Sequence, residues 1–300
     1  MVAVIGCRSR RVLLPSGLGS HFLEWGAEES ALDHTVLLLH GWLENAWAWE
    51  ATAEAGLAGR FHLLSVDLRG HGDSDRVGAG GGYHLADYLA DLHDLIPFVA
   101  RGRLSLVGHS LGGAIAGLYA GAFPQSISRL ALLEGTGLPS PGGGPGRVVR
   151  WLQKRERVRE RPQRSYKTVE EAAARLRETD PALRPAMALR LAEKGTAPGS
   201  DGRLRFKHDP RLTAGHPCAF DVEHARLFWA NVACPVLILE GAESATRLPE
   251  EEGRRRWSSF PSYRHTVLPD AGHMIPRHQP EALAAVLVEF LGEGAAAPPR

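Results

Sequence analysis

The sequence is poor in cysteine: Cys7, Cys218 and Cys234 are the only three in 300 residues. They are odd in number and far apart, which argues against a disulfide framework and suits a reducing compartment. Neither sign of charge is in excess, with 35 Lys and Arg against 34 Asp and Glu and a formal net charge of +1. No global field therefore draws the chain to nucleic acid or to an anionic membrane. No apolar run approaches the roughly 20 residues of a membrane-spanning helix. The 14 histidines are scattered, without the tight Cys/His or His/His spacing of a zinc site. No metal and no other cofactor are expected.

What is present is an ordinary globular composition, 44% hydrophobic and 23% charged, enough to bury a sizeable core. Val4-Ile5-Gly6-Cys7 has the look of a lipoprotein cleavage box, but only six residues precede the cysteine and the basic cluster Arg8-Ser9-Arg10-Arg11 comes after the apolar residues. A signal peptide needs a basic stretch and then an apolar core of about 7–15 residues. The expectation is an unlipidated cytoplasmic protein, of open oligomeric state.

Short apolar runs alternate with longer helical stretches, which predicts an α/β fold with a mostly parallel sheet. Val36-Leu37-Leu38-Leu39, His62-Leu63-Leu64-Ser65-Val66, Leu104-Ser105-Leu106-Val107, Leu130-Ala131-Leu132-Leu133, Val236-Leu237-Ile238-Leu239 and His265-Thr266-Val267-Leu268 read as strands covered on both faces. Amphipathic segments such as 83–100 and 279–291 read as helices. The rhythm breaks between 137 and 233, where no convincing strand pair is seen. The break opens on a Gly/Pro stretch, 137–146, that continues neither strand nor helix. Thr168-Val169-Glu170-Glu171 then forms a capping box, with Val169, Ala172, Ala173 and Leu176 following at helical spacing. Leu183, Met187 and Leu191 mark another helix. The expected organisation is a core of 1–136 and 234–300 interrupted by a helical lid, 137–233, with a disordered tail from Gly292. Within the lid, 147–167 holds nine Lys/Arg against two Glu, read as a solvated helix face or else as a docking surface for an anionic substrate or partner.

The strongest chemical signal is Gly108-His109-Ser110-Leu111-Gly112. A G-x-S-x-G elbow between a strand and an Ala/Gly-rich helix needs small residues around a very sharp turn, and it exposes the serine hydroxyl at a helix N-terminus. The helix dipole and the backbone N–H of Leu111 then favour negative charge on a bound oxygen. A second donor for such an oxyanion hole is expected from His40-Gly41-Trp42, through the Trp42 N–H. His40 itself reads as structural.

These motifs, with Asp67-Leu68-Arg69-Gly70-His71-Gly72-Asp73-Ser74 and Ala271-Gly272-His273, occur in the order of the α/β-hydrolase superfamily, which the chain resembles from about Phe22 to Leu291. His40-Gly41-Trp42-Leu43-Glu44-Asn45-Ala46 and Glu193-Lys194-Gly195-Thr196 further resemble the serine hydrolase-like proteins, a branch with poorly defined substrates. The resemblance implies that His273, after the last strand, is the base; a neutral imidazole titrates in the range that work requires. It also implies an acid in a Gly-x-x-Asp stretch after Val236–Leu239, where this chain reads Gly241-Ala242-Glu243-Ser244. Two carboxylates could replace the missing aspartate. Glu243 is one residue off. Glu134 ends the preceding strand, where part of the superfamily, including some haloalkane dehalogenases, carries its acid. Glu134 is preferred, with an oxygen about 2.6–3.2 Å from His273 Nδ1. Asp67, Arg69 and His71 read as loop-building residues. The expected catalytic set is thus Ser110, His273 and Glu134, with Trp42 and Leu111 as oxyanion donors. The expected reaction is hydrolysis of a small carboxylic ester through an acyl-enzyme. A small-molecule acyl substrate would be the partner. Other acyl or carbon–carbon cleavage on the same residues, or a catalytically silent ligand-binding protein, are the alternatives.

Overall fold

The computed structural model describes residues 6–28, 32–137 and 144–293. Val4–Ile5, residues 138–143 of the Gly/Pro stretch and the chain from 294 lie outside the described residues; Gly292, expected to open a disordered tail, instead ends the last helix, Pro280–Gly292. Ten strands are described: β1 Arg8–Leu13, β2 Gly19–Trp25, β3 His34–Leu39, β4 His62–Val66, β5 Arg103–His109, β6 Arg129–Leu133, β7 Thr196–Pro198, β8 Leu204–Phe206, β9 Val236–Gly241 and β10 Tyr263–Leu268. Eight form one sheet in the order β1-β2-β4-β3-β5-β6-β9-β10. From β4 to β10 every neighbouring pair is parallel, while β1–β2 and β2–β4 are antiparallel. All six expected strands are in this sheet.

Side-chain alternation divides the core into two layers. Leu37, Leu39, Leu106 and Leu130 face a cluster that includes Leu92, Ile115 and Trp229. Val36, Leu38, Val107 and Leu133 face the other, with Trp49, Leu283, Leu287 and Phe290. Helices cover both faces: α1 Leu85–Val99, α2 Leu111–Ala122, α6 Val222–Trp229, α7 Glu250–Trp257 and α8 Pro280–Gly292. The Gly/Ala content of α2 reflects how closely it is wedged. A Cβ on Gly121 would lie 2.2 Å from the carbonyl oxygen of Phe228 in α6.

β1 and β2 escaped the sequence reading for a physical reason. β1 is the basic cluster Arg8–Arg11, serving as a charged edge strand, a common guard against edge-to-edge pairing. β2 is wholly buried yet contains His21 and Glu24. Their partners come from far along the chain: His21 Nδ1 lies 2.7 Å from Asp67 Oδ2, and Glu24 Oε1 lies 2.8 Å from His62 Nε2.

Between β6 and β9 the described chain forms α3 Pro145–Glu160, α4 Val169–Thr179 and α5 Pro185–Gly195, then a 3-10 turn, Pro210–Ala214, and α6. The Thr168 hydroxyl caps α4, accepting the Glu171 N–H at 3.3 Å. The expectation of no strand pair here is corrected: β7 and β8 form a three-residue antiparallel ladder, apart from the main sheet. Strands that short have no periodicity to read. α4, α5 and this ladder share a small core built on Tyr166, Ala172, Leu183, Ala188 and Leu191.

Candidate active site

β3, β5, β6, β9 and β10 run parallel, and the loops at their C-terminal ends meet along one edge, where open α/β sheets bind ligands. The turn after β5 is a single residue, Ser110, at φ 51° and ψ −112°. A non-glycine residue is strained there. It is held by its N–H donating to Leu133 O at 2.8 Å and by its carbonyl accepting the Ala114 N–H at 3.0 Å. The flanking glycines answer to space: a Cβ on Gly108 would sit 2.3 Å from Gly112 O, and one on Gly112 2.3 Å from Leu39 O. Leu111 opens α2, so its N–H has no acceptor within the helix and lies at the positive end of its dipole.

His273, in the loop after β10, brings Nε2 to 3.1 Å from Ser110 Oγ. Behind the ring lie a hydroxyl and a carboxylate. Thr246 Oγ1 is 2.8 Å from Nδ1, and Glu134 Oε2 is 3.4 Å from it. The direct contact of 2.6–3.2 Å expected of Glu134 is therefore not made, because Thr246 occupies the shorter position. Thr246 also donates toward Glu134 Oε2 at 3.3 Å. Glu134 follows β6 at φ 51° and is fixed by the Gly241 N–H on Oε1 at 2.9 Å and the Ser244 hydroxyl on Oε2 at 3.0 Å. Burial pushes its carboxyl up, but hydrogen bonds from His273, the Gly241 N–H and Ser244 outweigh that and hold it below the usual range. Ser244, in place of the expected aspartate, is thus a donor to the glutamate on the neighbouring strand. Glu243 is exposed and anchored through its backbone N–H, 2.9 Å from Ala271 O; its side chain is not among the groups at the His273 ring. Thr246 was missed because it lies beyond the expected acid position, and only the loop's return toward β6 gives it a role.

A second network supports the site from below. His109, beside the elbow, lies within the protein with Nε2 2.9 Å from the His273 carbonyl oxygen and Nδ1 2.8 Å from Glu44 Oε2. Both ring nitrogens thus face oxygen atoms, one on the Glu44 carboxylate and one on the His273 backbone. Glu44 Oε2 also accepts the Gly41 N–H at 2.8 Å, and Arg277 Nη2 lies 2.8 Å from Oε1. Burial alone would raise the Glu44 carboxyl, but Arg277 and then His109 hold it well below the usual carboxylate range. One buried carboxylate therefore ties together the loop after β3, the elbow and the His273 loop. Glu44→Gln should cost about 3 kcal/mol or more, because it leaves the largely covered Arg277 guanidinium without its carboxylate. The folded-state carboxyl is depressed, so its contribution is present above the unfolded value and lost as pH falls through the folded one. Urea unfolding should accordingly show wild type and variant converging in acid; equal stability at pH 7 would contradict this.

The other candidates are placed as follows. His40 is buried; Nδ1 donates to Gly41 O at 2.7 Å and Nε2 accepts the Leu68 N–H at 3.1 Å. Asp67 accepts the Ala46 N–H at 2.6 Å and the Asp73 N–H at 2.8 Å. Arg69 grips Asp91 through two bonds of 2.5 Å. His71 is buried, which pushes its imidazole down to about 3, and Nδ1 lies 3.1 Å from Arg69 O. These four bind protein groups around the loop. Trp42 stands after Gly41 as a 43% exposed residue, at the surface of that loop and not in the core.

Comparison with known proteins agrees with this architecture. The model of the alpha/beta hydrolase family matches residues 36–286. A serine hydrolase-like protein of Danio rerio is 26% identical over 277 residues, covering 89% of this chain and 83% of that protein. Among solved structures, a hypothetical protein of Pseudomonas aeruginosa superposes with a TM-score of 0.81 at 28% identity, covering 95% of this chain and 99% of that one. An E-2-(acetamidomethylene)succinate hydrolase superposes with a TM-score of 0.76 at 25% identity, over 96% of this chain and all of that one (100%). No helix among the described residues is long and apolar enough to cross a membrane. With a family model matched over most of its length and a serine elbow beside a histidine at the sheet's C-terminal edge, the chain belongs to the alpha/beta hydrolase family.

Proposed function

We propose that the protein is a serine hydrolase that cleaves a small carboxylic ester through an acyl-enzyme on Ser110. The observation that carries this reading is the 3.1 Å approach of His273 Nε2 to Ser110 Oγ on a strained elbow. His273 takes the hydroxyl proton as Oγ bonds to the ester carbonyl carbon. The oxyanion that forms is held by the N–H groups of Leu111 and Trp42. Glu134, directly and through Thr246, orients the ring and stabilises its positive charge. Collapse breaks the bond to the alkoxy group, which leaves as the alcohol with the proton from Nε2. Water, deprotonated by the same nitrogen, then releases the acid and frees Ser110. A serine nucleophile argues against alkyl-ester chemistry of the dehalogenase kind, which needs a carboxylate. Purified protein should hydrolyse short p-nitrophenyl esters with a burst of one nitrophenolate per chain. Failure across a panel of oxygen esters, with turnover of thioesters or amides instead, would reassign the bond cleaved.

Ser244, standing where an aspartate is expected, is the sequence feature that favours a catalytically silent protein. That reading is weakened by Glu134, whose carboxylate reaches the same side of the ring. The segment 137–233 is proposed as a lid. Its own small core supports that reading, as does the pairing of Arg190 in α5 with Glu50 of the core at 2.6 and 2.8 Å. Arg190→Ala should raise amide hydrogen exchange in α5 severalfold while leaving α2 unchanged; no difference in α5 would remove that clasp from the account.

A further inference from the structure

The basic stretch 147–167 has no part in the chemistry above. Its nine Lys/Arg and two Glu give it +7 in a chain of net +1, so the rest of the molecule carries −6. Sixteen-residue α3, which starts two residues before the stretch and carries most of it, has no fully buried residue. Its inner side faces an open cavity of about 230 Å³, which the glycine loop 80–82 and residues 211, 212 and 214–217 also line. Arg155, Arg159 and Arg211 all line this cavity, and no Asp or Glu does. Arg211 is already matched, with Nη2 2.6 Å from Asp209 Oδ2. Arg155 instead lies over the Trp151 ring, 5.4 Å from its centroid. Among the described residues, neither Arg155 nor Arg159 has a carboxylate within ion-pair distance. His216 lines the same wall, and burial lowers its pKa. Ser110, His273 and Glu134 are not among the lining residues.

We propose that this cavity binds an organic anion, with a phosphate or carboxylate group between Arg155 and Arg159 and an apolar or aromatic body against Trp151. Guanidinium groups suit such groups because they present paired donors. The bare backbone of residues 80–82 leaves room for the headgroup, and the Trp151 face offers a large contact area at little entropic cost.

The test is isothermal titration of the full chain with phenyl phosphate and with inorganic phosphate. Because binding is read directly, the result does not depend on the hydrolase reading. Wild type should bind phenyl phosphate saturably, at one site. Arg155→Gln combined with Arg159→Gln should weaken it about tenfold or more. Arg150→Gln with Arg157→Gln removes the same charge from α3 outside the cavity and should change affinity less than about twofold. Trp151→Ala should weaken phenyl phosphate but not inorganic phosphate. No saturable binding, equal losses in both double variants, or equal effects of Trp151→Ala on the two probes would overturn the proposal. Circular dichroism should be unchanged in both double variants, since α3 has no fully buried residue. An ester assay then separates the two sources of such a group. A raised KM with phenyl phosphate places it at the far end of the substrate, and unchanged kinetics mark a separate ligand.

Discussion

Ser110→Ala is expected to lower ester turnover by on the order of 10⁴-fold or more. The substitution removes the one atom that can form the acyl-enzyme and leaves the binding surface in place. Alanine tolerates φ 51° about as poorly as serine, so the elbow's strain is unchanged and the comparison is clean. The residual rate should come from oxyanion donors and positioning alone, which elsewhere retain about 10³–10⁴ over water. Steady-state kinetics on folded variant protein measures this, and hydrolysis near the wild-type rate would remove Ser110 as nucleophile.

Glu134→Gln should reduce kcat by about 10²–10⁴. The amide keeps the shape beside Gly241 and Ser244 but removes the charge that offsets the imidazolium. One of its ends also becomes a donor among donors. Thr246→Val removes the hydroxyl 2.8 Å from Nδ1 and keeps its volume. Losing a hydrogen bond to a charged ring should cost about 10–100-fold in kcat, with KM nearly unchanged. Glu243→Gln should cost less than about tenfold, since that side chain lies off the ring. A larger loss for Glu243→Gln than for Glu134→Gln would move the acid to the loop after β9.

Features encoded locally were legible in the sequence, and features encoded by distant pairs were not. The elbow at Ser110 is a local steric problem: two neighbouring glycines are required by backbone approaches, and five consecutive residues reveal it. The central strands are apolar on both faces and read as continuous runs. β2 could not be read this way, because His21 and Glu24 look solvent-facing until Asp67 and His62 are brought beside them. The partners of His273 lie between these cases. Glu134 could be found from its place at a strand end, 24 residues after Ser110 (134 − 110). Thr246 could not, since its position depends on the loop after β9 folding back toward the end of the neighbouring β6. Glu44 lies in the His40–Ala46 motif, whose only sequence signal is its likeness to relatives. Its buried bonds to Gly41 and His109 join segments 65 residues apart, and no pattern within either segment announces them.

Covalent labelling tests the central claim most directly. Wild-type protein treated with a fluorophosphonate and analysed by intact mass and peptide mapping should gain one adduct per chain, on Ser110, and the Ser110→Ala protein should gain none. A folded wild-type protein that stays unlabelled, or that carries its adduct on another residue with Ser110 free, would contradict the account.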